Sequence, residues 1–207
     1  MNGTFFYIGL GAGLAAACGL RPFLPLLLAG ALGSSNALGV SFEHGGFDFL
    51  QRGWWMLLVV LALAAAYALQ LLLRLAPTSD SRVESSAAPL AAAITGIAYG
   101  SGAVLFAGTL AEHGDAWWPG LIGGLVAAGL AQWAAGPVIA GARKRLPDRA
   151  AREALTVYLD AAAVLVAALV AVLHPLGYLA LAVLVWFLLR RRARAGEKYA
   201  GLRILRR

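Results

Sequence analysis

The chain has one cysteine, Cys18, in 207 residues, so it can form no internal disulfide. Charge is scarce as well: 13% of residues are Asp, Glu, Lys or Arg, against about 25% in ordinary soluble domains. The three histidines, His44, His113 and His174, stand apart and lack the paired spacing of a metal site. No glycine-rich phosphate loop with its lysine occurs, and no serine sits in a nucleophile elbow. These absences lead us to expect no metal, no cofactor and no catalytic residues, hence no enzyme. A cleaved leader is not expected either, because no Lys or Arg precedes the first apolar run and that run continues past any cleavage point.

What fills the space is apolar. Hydrophobic residues make up 61% of the chain and mean hydropathy is +0.77, which reads as a polytopic membrane protein. A span needs about 20 apolar residues. Stretches of that kind cover residues 54–76, 87–110, 119–142 and 153–174, a shorter one covers 176–189, and an opening run covers 5–32. The fold class is therefore all-α, a transmembrane helical bundle with about six spans. Residues 1–189 form the membrane domain and 190–207 a basic tail.

The net charge of +7 does not point to nucleic acid, because its distribution follows the loops. Apart from Arg21 and Arg52, the 17 Lys and Arg residues fall at Arg74 and Arg82, between Arg143 and Arg152, and from Arg190 onward. The intervening loops carry Glu43, Asp48, Glu112 and Asp115. The positive-inside rule makes the basic places cytoplasmic. Six spans then put both termini in the cytoplasm. Arg190, Arg191 and Arg192 are expected to touch anionic lipid headgroups.

One stretch resists the bland reading. GLRPFLPLLLAG, residues 19–30, sets Arg21, Pro22 and Pro25 inside an apolar run. An arginine costs roughly 2.5 kcal/mol or more at the centre of a bilayer, and each proline removes a backbone donor. One straight helix over 5–32 would be about 42 Å long, against a core of about 30 Å. A break at Arg21-Pro22 is predicted, with Pro22 in the first turn of a second helix. Whether the run crosses once with a break or dips in and returns, which would place the N-terminus outside, stays open.

A counter-charge is expected, and Asp160, seven residues along the span 153–174, is the only candidate acid within the apolar spans. Two simpler roles compete: Asp160 as the cap of a broken helix, and Arg21 snorkelling to an interface. Tyr99 and Gln132 are further candidates for lining a pathway, and Gly136-Pro137 marks a second candidate break. His174, before Pro175, reads as a helix stop first and a pH-sensitive group second. GLGAGLAAACGL at 9–20 resembles GLIGGLVAAGL at 120–130. In spans of opposite sense this would be a 3+3 inverted repeat, as in many transporters. Close helix packing in lipid asks for the same small residues.

GLRPFLPLLLAGALG, YLDAAAVLVAALVAVLHP and KYAGLRILR together resemble the domain-of-unknown-function 4126 family of bacterial polytopic inner-membrane proteins. The matching positions are Gly19, Arg21, Pro25, Asp160, His174, Pro175, Tyr199, Gly201 and Leu202. The resemblance implies a small inner-membrane protein and an interfacial helix at the C-terminal end, whereas the residues alone read as a solvated tail. It implies no substrate. The leading expectation is a channel or secondary transporter for a small ion or polar solute, and the alternative a non-catalytic membrane scaffold or assembly factor. The partners expected are the bilayer, the solute and further copies of the chain.

Overall fold

A computed structural model describes residues 3–75, 81–146 and 148–200. These form seven α-helices and no strand: α1 (Thr4–Leu20), α2 (Phe23–Ser34), α3 (Gly53–Leu75), α4 (Ser81–Glu112), α5 (Trp117–Arg145), α6 (Arg149–Val172) and α7 (Leu176–Ala200). Three of them are long and apolar enough to cross a membrane, over Pro89–Glu112, Trp117–Arg143 and Ala150–Val172. The helices α1, α2 and the Gly53–Leu69 part of α3 are apolar but shorter.

The bundle has an acidic and a basic end. Glu43, Asp48, Glu112 and Asp115 lie at the first; Arg143, Arg145 and Arg152 lie at the second, with Arg190 and Arg191 towards it. At the centre is α1, buried from Gly9 through Gly19. Such burial needs neighbouring backbones to approach a surface without side chains. A methyl group on Gly9 would sit 2.6 Å from the His174 carbonyl oxygen, and one on Gly13 2.5 Å from Val170 Cγ1. One on Gly19 would collide with the Ala128 carbonyl, and one on Gly177 with the Gly9 carbonyl. Between α4 and α5, a methyl on Gly120 would meet Ala107 Cα at 2.7 Å, and one on Gly124 would strike the Gly102 carbonyl.

These contacts fix the direction of each helix. Along α1, Gly11 lies beside Phe106 and Thr109, and Ala15 beside Gly102, so α1 runs antiparallel to α4. Gly102 also lies against Gly124 and Ala128, and Gly19 against Ala128 and Ala131, so α1 runs parallel to α5. The helix α1 therefore starts at the acidic end, where Tyr7 stacks on His113 and Phe5 on Tyr178. The helix α2 returns there: Leu24 lies near Leu63, Ala66 and Tyr67 of α3, and Gly30 near Leu50 and Met56.

The opening run is thus a re-entrant helical hairpin with its apex at Arg21-Pro22, and this corrects three expectations. The run does not cross from one end to the other, so five helices rather than six join the two ends. The described chain begins at the acidic end and α7 runs towards the basic end, so the first and last described helices do not begin and end on the same side. The echo between 9–20 and 120–130 lies in parallel helices, not in helices of opposite sense, so it serves close packing rather than an inverted repeat.

Two local expectations also change. The helix α5 passes through Gly136-Pro137 without a break. Pro137 has no N–H for the Trp133 carbonyl four residues earlier, and Arg191 donates there instead, its Nη1 reaching Trp133 O at 3.4 Å and Ala134 O at 3.3 Å. The helix α7 continues past residue 189 to Ala200, so the first part of the basic tail extends a helix. Gly201, Leu202 and the rest of the tail lie outside the described residues, as do the side chains of Arg192 and Tyr199.

The segment between α2 and α3 folds over the acidic end. Phe42 and Leu50 are buried there. The Phe42 N–H donates to Gln51 Oε1 at 3.3 Å, and the His44 N–H donates to Glu112 Oε2 at 2.8 Å. Gly45, at φ +73, rests on Ala111 where a side chain would collide. Trp54, Trp117 and Trp118 are exposed at this end, the pattern of an interfacial aromatic belt.

If close backbone approach holds the bundle, Gly124→Ala should destabilise it by about 1–3 kcal/mol through overpacking. Gly100→Ala, with nothing within 4 Å of the added carbon, should be neutral or stabilising by up to about 0.8 kcal/mol. Thermal unfolding of the purified protein in detergent checks this. Equal losses at both positions would refute the packing account.

Candidate functional site

The apex follows from proline chemistry. The helix α1 ends at Leu20 because Arg21 is extended (φ −151, ψ 116), and the Arg21 N–H closes the last turn on the Ala17 carbonyl at 3.1 Å. Proline disfavours helical backbone in the residue before it, which is why the break falls at Arg21. Pro22 is already helical (φ −72, ψ −40) and opens α2. The first turn of any helix leaves backbone donors without partners, and lipid supplies none. Pro22 and Pro25 both sit in that turn and have no donor to leave unmet. The two prolines that look misplaced in a membrane run are therefore suited to starting a helix deep inside a bundle.

Arg21 projects from this turn onto α6. Its Nε donates to Asp160 Oδ1 at 2.9 Å, with the two side chains 19% and 12% exposed. From α3, the Tyr67 hydroxyl donates to the other carboxylate oxygen, Oδ2. The two carboxylate oxygens thus have partners on two different elements. The Arg21 Nη2 does not: it is buried and has no hydrogen-bond partner. A cavity of about 20 Å³ adjoins the cluster, lined by Arg21, Tyr67 and Asp160 together with Phe23, Leu24 and Ile94. That is room for about one water molecule. No side chain caps the N-terminus of α2, whose first residues also line the cavity.

The site is therefore polar and partly unsatisfied inside an apolar bundle. Its cation has a donor to spare, and the positive end of a helix dipole faces the same space. Among the described residues no group of three or more His, Cys, Asp and Glu could hold a metal ion.

Of the sequence candidates, Arg21, Pro22 and Asp160 meet here. Pro25 is buried one turn along α2. Tyr99 and Gln132 do not line the cavity: Tyr99 faces α5, with its ring 3.5 Å from a methyl placed on Gly129, and Gln132 lies beside its own Gly136. His174 sits at the acidic end, its Nε2 3.3 Å from the Leu38 carbonyl and its Nδ1 buried without a partner. Arg190 lies over the Trp186 ring at 5.0 Å, while Arg191 takes the carbonyls beside Pro137. Sequence reasoning missed Tyr67. The available signal was a lone hydroxyl in AAAYALQ, in a predominantly apolar helix.

A model of the family described as Domain of unknown function (DUF4126) matches residues 8–194. No curated protein and no solved structure matches the chain.

Removing one partner of a buried ion pair strands the other. Asp160→Ala should cost about 3–5 kcal/mol, and Tyr67→Phe about 1.5–3 kcal/mol. The double variant Arg21→Met/Asp160→Leu should lose less than Asp160→Ala alone. Denaturation in detergent gives all three values, and a double variant that is the least stable of the set would contradict the pairing.

Proposed function

The chain belongs to the DUF4126 family, and from that premise we propose that it is an integral membrane protein that carries a small ion or polar solute past the Arg21–Asp160–Tyr67 cluster, by non-enzymatic transport. The observation that supports this most is the buried Arg21 Nη2 without a partner, beside a cavity at a broken helix. A purely structural ion pair would be expected to satisfy its donors, since an unmet buried donor costs about 1–3 kcal/mol or more. Ionisable groups within membrane helices are functional candidates by default. Non-helical backbone at that depth is tolerated where protein buries it or water lines it.

In this reading α3 to α7 cross the membrane and α1–α2 enters from one side and returns. The 17 residues of α1 extend about 25 Å, short of the roughly 30 Å hydrocarbon core. The basic end lies in the cytoplasm by the positive-inside rule, so the first helix begins outside and α7 ends inside, in the inner membrane of a bacterium. Arg190, stacked on Trp186, sits where anionic headgroups would meet it. Gly96, open on the surface of α4, suits contact with a second copy.

Single cysteines on a Cys18→Ser background test both parts with a membrane-impermeant thiol reagent. Residues Leu24, Ala66 and Ile94, which line the cavity, should label, and Tyr99 should not. Thr4 and Leu38 should label from the side opposite to Arg145. Protection at all three cavity positions, in protein whose loop cysteines react, would remove the pathway. Labelling of Thr4 from the cytoplasmic side would overturn the orientation.

A further inference from the structure

We propose that the apex site takes a compact monovalent anion together with one proton, the anion on Arg21 Nη2 and the proton on Asp160. This deepens the transport reading and rests on it. The guanidinium spends its Nε on Asp160 and keeps Nη2 buried and free, and the strongest acceptor for such a donor is an anion. The uncapped N-terminus of the 12-residue α2 adjoins the same cavity, and its dipole favours negative charge there. The two features are independent and agree in sign.

Charge balance supplies the proton. Arg21 and Asp160 together are neutral, so a bound anion alone would leave one uncompensated negative charge in an apolar interior, which is strongly unfavourable. A proton on Asp160 restores neutrality. Tyr67 makes the exchange self-consistent. It now donates to Oδ2 of Asp160; once the carboxyl is protonated, its O–H donates to the phenol oxygen instead. The phenol O–H, its bond intact, then turns towards the cavity and donates a hydrogen bond to the anion. Only an O–H bond on Asp160 is made and later broken. The proton comes from water on the side where the anion enters and leaves with it, so net movement is electroneutral. The groups around Asp160 are Arg21 from the hairpin turn, Tyr67 from α3, the apolar Ile94 from α4 and, one turn along α6, Thr156. Thr156 is held by Arg143 of α5 at 3.3 Å. The small cavity, about 20 Å³, favours a compact anion over an extended one.

The test uses the full chain in liposomes containing a pH-sensitive dye, with chloride and nitrate as probes, because the acids of these anions are strong and do not carry protons through lipid unaided. An inward anion gradient, with the potential clamped at zero by potassium and valinomycin, should acidify the lumen, and reversing the gradient should reverse the signal. Asp160→Asn should abolish acidification while anion flux persists and becomes voltage-dependent, and Arg21→Gln should abolish both. If the asparagine variant does not fold, Tyr67→Phe carries the same test through a reduced proton signal per anion. Anion flux without acidification in the unaltered protein overturns the coupling and leaves transport standing, as does proton movement driven by a cation gradient only. No flux of any ion through folded, inserted protein overturns both.

Discussion

The ion pair between Arg21 and Asp160 is the constraint around which the rest is arranged. It joins the turn of the hairpin to the middle of α6, and the Tyr67 hydroxyl adds α3 to the same point. A buried pair of this kind is not a strong net stabiliser, because desolvation offsets most of the attraction. It specifies instead: an apex displaced by one turn would leave two opposite charges uncompensated in an apolar interior. The depth of α1 is thereby fixed, and with it the register of its glycines against α4, α5 and α7.

The glycines are the complement of that constraint. A hairpin can enter an already packed bundle only if its first helix is thin, and α1 is thin where it is surrounded. Gly9 and Gly13 admit the turn between α6 and α7, Gly11 admits Phe106 and Thr109, and Gly19 admits the backbone of α5. Gly102 and Gly177 admit α1 in return, and Gly120 and Gly124 bring α5 close to α4. Close approach of this kind replaces the hydrophobic drive that is lost in lipid. The acidic end is then closed by the segment carrying Phe42 and Leu50, anchored through His44 on Glu112. Three buried side-chain nitrogens lack a partner among the described residues, Arg21 Nη2, Trp55 Nε1 and His174 Nδ1, and of these residues only Arg21 lines the cavity beside the uncapped start of α2. Its place at a cavity and a helix start makes the Arg21 donor the informative one, because natural sequences break such rules mainly at functional sites.

The helices themselves, their approximate limits, the all-α class, the break at Arg21-Pro22 and the partnership of Arg21 with Asp160 followed from the sequence. Each rests on a local cause: run length against helix rise, proline's effect on the preceding residue, and the scarcity of charge in apolar spans, which left one acid to choose. The direction of α2 was not legible, because an apolar run reads the same whether the chain crosses or returns, and no charge before Phe5 marked a side. The angle between α1 and α2 depends on the extended backbone at Arg21 and on which faces of the two helices find partners. The inverted repeat failed for the same reason, since likeness of sequence carries no sense of direction. Tyr67 was hidden because it lies 93 residues from Asp160 in a helix where an aromatic residue is unremarkable. Composition and local stereochemistry determined what the elements are, and tertiary packing alone decided which way they point and which distant side chains share one buried point.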